Sequence, residues 1–115
     1  MNENETQTKA VELSLEQAKS SIEKMEAFLR LVDNKDFELL FTEGYFKAEA
    51  SRVVLLKADP SMSDDQSQKM LDKSIDAIGY LRQYIQTIMH FGKMAEKAIQ
   101  DDRDTLEELQ REAAH

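Results

Sequence analysis

Apolar residues recur at steps of three and four through the second half of the chain. From Leu71 these steps reach thirteen positions, and ten of them are apolar. The thirteen positions are Leu71, Ser74, Ile78, Leu81, Ile85, Ile88, Gly92, Ala95, Ile99, Asp102, Leu106, Leu109 and Ala113. A repeat that averages 3.5 residues is typical of coiled coils. No proline lies between Asp64 and Glu112. The spacing therefore predicts one long helix over residues 64–112.

A second apolar stripe predicts a helix that begins at Ser14. The stripe alternates the same two steps and consists of Leu15, Ala18, Ile22, Met25, Leu29 and Val32. Ser14 and Gln17 have the spacing of a capping box, which is typical of a helix start. Residues 1–13 are polar and show no apolar period, so we expect them to form a flexible arm.

The middle of the chain predicts two shorter helical pieces. The first runs from Phe37 to Thr42, with Asp36 as its cap and with Phe37, Leu40 and Phe41 pointing inward. Gly44 is expected to end it or to bend the chain sharply. The second piece runs from Tyr45 to Lys57 and stops before Asp59-Pro60, because the residue before a proline avoids helical geometry.

These elements predict an all-α fold, an antiparallel helical bundle or hairpin of three to four helices with a long C-terminal coiled-coil-like helix. The domain organisation expected from them is a flexible polar arm over residues 1–13, a helical domain over residues 14–100 and an acidic helical tail over residues 101–115. With 115 residues, the chain has the length of a single domain.

Helix lengths predict a surface for self-association. At 1.5 Å per residue the long helix measures ~70 Å and the first helix only ~28 Å. The shorter helices would therefore cover the long helix only as far as about residue 95. Ala95, Ile99, Leu106 and Leu109 are therefore expected to form an oligomer interface. Two alternatives stay open: the tail frays, or a bend at Gly92 folds it back.

Charge limits the classes of partner. The chain has 23 Asp and Glu against 15 Lys and Arg, a formal net charge of −8. An acidic surface repels phosphate backbones, so we expect no direct binding of nucleic acid. The acidic residues are either solvated faces or a surface for a basic protein. No apolar run approaches the ~20 residues of a membrane span, so no membrane association is expected.

No residue pattern for catalysis or cofactor binding is present. The sequence has no cysteine, which excludes disulfides and thiolate metal sites. Thr87 stands three residues before His90, where a di-iron helix needs glutamate. Neither a Gly-x-Ser-x-Gly elbow nor a glycine-rich phosphate loop occurs. We therefore predict a protein that is not an enzyme, with no catalytic residue, no cofactor and no metal.

Aromatic residues are concentrated in the middle of the chain and along the long helix. They serve either as a core between these two segments or as anchors for a partner. Tyr80 and Tyr84 lie one helical turn apart, off the coiled-coil positions, with Arg82 between them. Tyr80, Arg82 and Tyr84 are the predicted partner surface.

Four short stretches resemble a type of small helical protein found in tailed bacteriophages. They are Asp36-Phe37, Glu43 to Phe46, Leu56 to Pro60, and Ile78 to Tyr84. The resemblance extends over roughly residues 13–100. It implies a viral origin and a place in the cytoplasm of the infected bacterium or in the virion, and it carries over no catalytic or binding residue.

Two functions are therefore expected for the chain. The first is a non-enzymatic phage structural or assembly accessory protein that acts as a helical oligomer. The alternative is an early phage protein that binds and inhibits a host factor through acidic helical surfaces. The partners would be further copies of the chain, or another phage or host protein. An adaptor that loads proteins onto DNA is a third hypothesis, which the charge disfavours.

Overall fold

The computed structural model describes residues 2–114, and this part of the chain is helical with no strand. Its elements are α1 (Glu3–Val32), α2 (Lys35–Phe37), a π-helix (Glu38–Glu49), α3 (Ala50–Lys57), a 3-10 turn (Pro60–Met62) and α4 (Asp65–Ala113). The predicted all-α class and the long C-terminal helix are confirmed. Met1 and His115, the outer ends of the predicted arm and tail, lie outside the described residues.

The chain divides into two compact units. Unit 1 consists of Met1–Ala27 and Ile88–His115, and unit 2 consists of Phe28–Thr87. Unit 1 is built from parts of α1 and α4 alone. Unit 2 contains the last turn of α1, the middle segment (residues 35–57) and the first part of α4. The expected boundaries at residues 13 and 100 do not coincide with this division.

Unit 1 is an antiparallel helical hairpin. The Asn4 side-chain amide donates a hydrogen bond to the carbonyl oxygen of Leu109 at 3.4 Å. Farther along α1, the Ser14 hydroxyl donates to the carboxylate of Asp102 at 2.6 Å. Residue numbers therefore rise along α1 as they fall along α4, which is the predicted antiparallel order.

Gly92 lets the two helices of unit 1 approach each other closely. A Cβ atom at this position would lie 2.6 Å from the Sδ atom of Met25, and nearer still to its Cβ. Met25, Ala18 and Ala95 are buried in the same unit. Since α4 continues through Gly92 without interruption, the alternative of a bend that folds the tail back is wrong. The glycine provides space for Met25.

The prediction of a flexible arm over residues 1–13 is wrong, because residues 3–13 form the first turns of α1. The alternating spacing of the α1 stripe continues backward from Leu15 through Val11, Thr8 and Asn4, and these three residues are partly buried. Two of them are polar, which hides the period in the sequence. Ser14 is consequently an internal residue of α1 that contacts Asp102, and it caps no helix.

The middle segment of unit 2 is helical without a break from Lys35 to Lys57. Asn34 caps its start, because its side-chain oxygen accepts hydrogen bonds from the backbone amides of Asp36 at 2.9 Å and Phe37 at 3.1 Å. The cap predicted at Asp36 is therefore wrong by two positions. Gly44 neither ends the helix nor adopts a positive φ, so the predicted bend is wrong as well.

The π-helix changes which residues of the middle segment point inward. The α-helical period predicts Leu40 and Phe41 inward, but both are exposed. In a π-helix each backbone amide donates its hydrogen bond to the carbonyl oxygen five residues earlier, so each turn contains more residues than an α-helical turn. The partly buried residues of this stretch include Thr42 and Phe46 instead. At Gly44 a Cβ atom would lie 2.6 Å from the carbonyl oxygen of Leu39, so the wide turn itself favours glycine there.

Two aspartates organise the turn between α3 and α4. As predicted, the middle segment stops before Asp59-Pro60. The Asp59 carboxylate accepts hydrogen bonds from the Ser61 amide and hydroxyl, both at 2.9 Å, and Asp64 accepts from the Ser67 amide at 2.9 Å. The backbone and side-chain bonds from Ser61 lower the pKa of Asp59. The side-chain and backbone bonds from Ser67 lower the pKa of Asp64.

These lowered pKa values predict a loss of stability in acid. A carboxyl group whose folded pKa is depressed contributes stability above its unfolded pKa, and this contribution is lost as pH falls through the folded pKa. Asparagine caps a helix as well as aspartate does but does not titrate. As the pH is lowered from about 5 to about 2.5, we expect the melting temperature of Asp64→Asn to fall less than that of the wild type, as measured by circular dichroism. Asp76→Asn is the control, and equal acid sensitivity in all three proteins would contradict the prediction.

The close approach at Gly92 predicts a cost for any side chain there. We expect Gly92→Ala to lower the free energy of unfolding by about 1–3 kcal/mol, because the added methyl group overpacks the contact with Met25. A Cβ at Gly79 would meet no atom within 4 Å. The control Gly79→Ala should therefore raise stability by about 0.5–1 kcal/mol. Urea unfolding measures both, and a gain from both substitutions would show that the helices do not touch at Gly92.

Candidate functional site

The predicted oligomer interface lies in unit 1, where α1 of the same chain covers it. Leu109 is 8% exposed and Ala95 is buried, and Ile99 and Leu106 are half-buried. The expectation that one chain cannot cover these residues is wrong, because α1 starts at Glu3 and reaches the level of Leu109. The four side chains therefore leave little apolar surface for a second copy.

The tyrosines of the predicted partner surface are exposed in unit 2. Tyr80 is 69% exposed and Tyr84 is 60% exposed. They are four residues apart on α4, so their rings occupy adjacent turns of one helix face. The sequence prediction placed both tyrosines away from the packed positions, and this placement agrees with the structure.

Arg82 does not share this face. Successive residues of an α-helix are rotated by about 100°, so Arg82 is about 160° from each tyrosine around the helix axis. It lies on the same side of α4 as Ile78 and Gly79, and with them it lines a cavity of unit 2. Grouping Arg82 with the two tyrosines as one surface is therefore wrong.

The exposed face extends toward the start of α4. We define the tyrosine face as six exposed residues of unit 2: Lys69, Met70, Lys73, Ala77, Tyr80 and Tyr84. Met70, Ala77 and Tyr84 are spaced seven apart, as are Lys73 and Tyr80. This second heptad was the available sequence signal for the face. It is easily missed beside the stronger apolar pattern that starts at Leu71.

The middle segment of unit 2 also exposes apolar side chains. Leu39, Leu40 and Leu55 each present more than half of their surface to solvent. The first two lie in the π-helix, where the altered period turns them outward. Scattered exposed leucines are common on protein surfaces, and none of these three lines the cavity of unit 2.

A partly enclosed cavity of about 610 Å³ lies within unit 2. Its walls come from the last turn of α1, the middle segment and α4, and are mostly aliphatic and aromatic. The lining residues are Phe28, Val32, Phe37, Thr42, Phe46, Lys47, Ala50, Ile75, Ile78, Gly79, Arg82, Ile85 and Gln86. Pockets of this size and character are typical of small-molecule sites.

The polar groups of the cavity are mainly hydrogen-bond donors. Arg82 and Lys47 contribute cations, Thr42 a hydroxyl group and Gln86 an amide, and no carboxylate is among the lining residues. The Lys47 ammonium pairs with Glu43 at 3.0 Å. In the described part of the chain, Arg82 makes no ion pair within 4.0 Å. Its guanidinium is the free cation of this cavity.

The stacked rings of Phe37 and Phe41, with centroids 5.1 Å apart, help to hold the middle segment in place. Phe28 meets Phe37 edge to face at 6.2 Å. The two contacts connect the last turn of α1 to the π-helix within unit 2. These ring contacts do not involve α4, whereas the sequence predicted an aromatic core between the middle segment and the long helix.

Across residues 2–114, no three His, Asp or Glu side chains are grouped so that they could hold a metal ion.

None of the helices in the described chain is long and apolar enough to cross a membrane.

Comparison with protein-family models, with curated proteins and with solved structures gives no significant match.

The burial of Leu109 predicts a role in folding. We expect Leu109→Ala to lower the free energy of unfolding by about 2–3 kcal/mol, because it removes buried methyl groups beside α1. Leu13 is exposed on α1 in the same unit, so Leu13→Ala should change stability by less than about 0.5 kcal/mol. Urea unfolding at low protein concentration measures both. If Leu109→Ala changed self-association while stability stayed the same, this residue would belong to an oligomer interface after all.

Proposed function

We propose that this chain is a non-enzymatic accessory protein that acts as an oligomer of identical helical subunits, joined through the tyrosine face of unit 2. The single observation that carries the proposal is the exposure of Tyr80 and Tyr84 on adjacent turns of α4. The resemblance to small helical proteins of tailed bacteriophages favours a role in phage structure or assembly, in the infected cell or in the virion.

Tyrosine suits a surface that is buried only on association. Its ring provides a large apolar area, and its hydroxyl group remains compatible with water while the protein is free. Interfaces concentrate their binding energy in a few such aromatic anchors. Met70 and Ala77 extend the apolar part of the face by nearly three further turns. Together with the two tyrosines they lie along one face of a single helix, in contrast to scattered surface leucines.

Charge favours a second copy as the occupant of the tyrosine face. Lys69 and Lys73 are its charged residues, with the exposed Asp76 at its edge, and in the described chain neither lysine lies within 4.0 Å of a carboxylate oxygen. The residues of unit 1 include thirteen Asp and Glu and seven Lys and Arg, a formal charge of −6. Unit 2 has ten Asp and Glu and eight Lys and Arg, a formal charge of −2. The acidic hairpin of one copy thus complements the lysines of another.

This pairing brings together two different surfaces and is therefore heterologous. Such contacts repeat from copy to copy and produce rings or open chains rather than a symmetric dimer. An assembly of this kind fits a structural or scaffolding role. It also replaces the interface predicted at Ala95, Ile99, Leu106 and Leu109, which α1 covers.

The alternative function is inhibition of a host protein through acidic helical surfaces. The charge of −6 on unit 1 favours it, because carboxylates such as Asp101, Asp104, Glu107 and Glu108 are exposed on α4. A basic host protein would be attracted to this hairpin. The two functions differ in whether the protein associates with itself.

Self-association should depend on the two tyrosines. We expect Tyr80→Ser/Tyr84→Ser to weaken association at least tenfold, since truncating aromatic anchors costs about 2 kcal/mol or more each. Light scattering over about 1–100 µM protein measures the effect. The control is Leu39→Ser/Leu55→Ser, which removes exposed apolar side chains from the middle segment of the same unit and should leave association unchanged.

Salt tests the charge complementarity. Raising the salt from about 50 to about 500 mM should weaken association several-fold, because exposed ion pairs are screened. Lys69→Gln/Lys73→Gln should reduce this salt dependence. A wild-type protein that stays monomeric throughout would exclude the oligomer and favour the alternative function. If association survived both the double tyrosine variant and the double lysine variant, the interface would lie elsewhere.

A further inference from the structure

We propose that the cavity of unit 2 binds a small amphipathic anion, a carboxylate with a medium-length alkyl chain. The binding site is independent of the tyrosine face, because the residues of α4 that line the cavity lie on the opposite side of that helix. The ligand class follows from two properties of the cavity: its apolar walls, and its two cations with no carboxylate among the lining residues.

The walls select an alkyl chain. Rings from α1 and the middle segment, Phe28, Phe37 and Phe46, face the aliphatic side chains of Ile75 and Ile78 on α4. The volume of about 610 Å³ lies inside the range of roughly 300–1,000 Å³ that small-molecule sites occupy. Transfer of an alkyl chain from water to such walls is favourable in proportion to the apolar area removed from solvent.

The polar groups select a negative head group. In a chain with 23 Asp and Glu, the cavity has two cations and no carboxylate among its lining residues. Arg82 is free of ion pairs within the described residues, and a guanidinium group binds a carboxylate through two parallel hydrogen bonds. The Lys47 ammonium already pairs with the Glu43 carboxylate, so we assign the primary contact with the carboxylate of the ligand to Arg82.

Gly79 provides a way to fill the cavity without disturbing the fold. A Cβ atom there would meet nothing within 4 Å, although the residue lies in the cavity wall. Leucine is also a far better helix former than glycine. Gly79→Leu should therefore occupy part of the cavity while α4 keeps its helix.

The experiment is isothermal titration of the full chain with decanoate at about pH 7.5, where the carboxylate is ionised. Nonyltrimethylammonium is the matched probe, since it has the same nine-carbon alkyl chain as decanoate and the opposite charge. We expect saturable one-to-one binding of decanoate, and binding of nonyltrimethylammonium at least about tenfold weaker, a difference of roughly 1.4 kcal/mol.

Three variants locate the binding. Arg82→Gln should weaken decanoate binding about tenfold, which corresponds to roughly 1.4 kcal/mol. Gly79→Leu should abolish it without lowering the melting temperature. Arg30→Gln removes the same charge from an exposed position of unit 2 outside the cavity, and it should bind decanoate like the wild type.

Several results would overturn the proposal. They are the absence of saturable decanoate binding to the wild type, equal affinity for both probes, and unchanged decanoate binding in Gly79→Leu. The last result would indicate that the ligand sits on an exposed apolar surface such as the tyrosine face. If Gly79→Leu failed to fold, the loss of affinity in Arg82→Gln relative to Arg30→Gln would still decide the question.

Discussion

The fold of unit 1 depends on one close contact between two antiparallel helices. Gly92 has no side chain, so α4 can lie directly against Met25 of α1. Nearer the chain ends, Asp102 stands among otherwise apolar positions of α4 and accepts a hydrogen bond from Ser14. A carboxylate left without a partner at such a position is costly. The two contacts therefore fix the register of the helices, and that register places α1 over Leu109.

The sequence pattern predicted the strongest features of the fold correctly. The uninterrupted spacing from Leu71 to Ala113 predicted α4, because good helix formers and apolar steps agree over its whole length. The start of α1 was not predicted. Its first positions on the apolar stripe, Asn4 and Thr8, are polar and could be assigned to the packed side only once α4 was seen to lie against them. The expectation that one chain could not cover Leu109 failed for this reason.

The π-helix set another limit on prediction. Pattern analysis assumes an α-helical or extended period, and under that assumption Leu40 and Phe41 belong inside. Only the backbone hydrogen bonding reveals the π-helix, in which Thr42 and Phe46 are partly buried while Leu40 and Phe41 are exposed. The cavity was also beyond prediction, since its walls come from α1, the middle segment and α4, which only the tertiary structure brings together. The exposure of Tyr80 and Tyr84, by contrast, was predictable from their distance to the apolar stripe on a single helix.

The hydrogen bond between Asn4 and Leu109 has a practical meaning for protein engineering. It holds the first turn of α1 beside the last turns of α4, so that a short flexible linker could connect these two segments. New termini could then be opened in the exposed connection between α3 and α4, at Ser61 or Ser63. Such a circular permutant would keep both helices of unit 1 in their present register, and it would let a reporter be attached at Ser61 or Ser63, far along the sequence from the acidic residues in the last turns of α4.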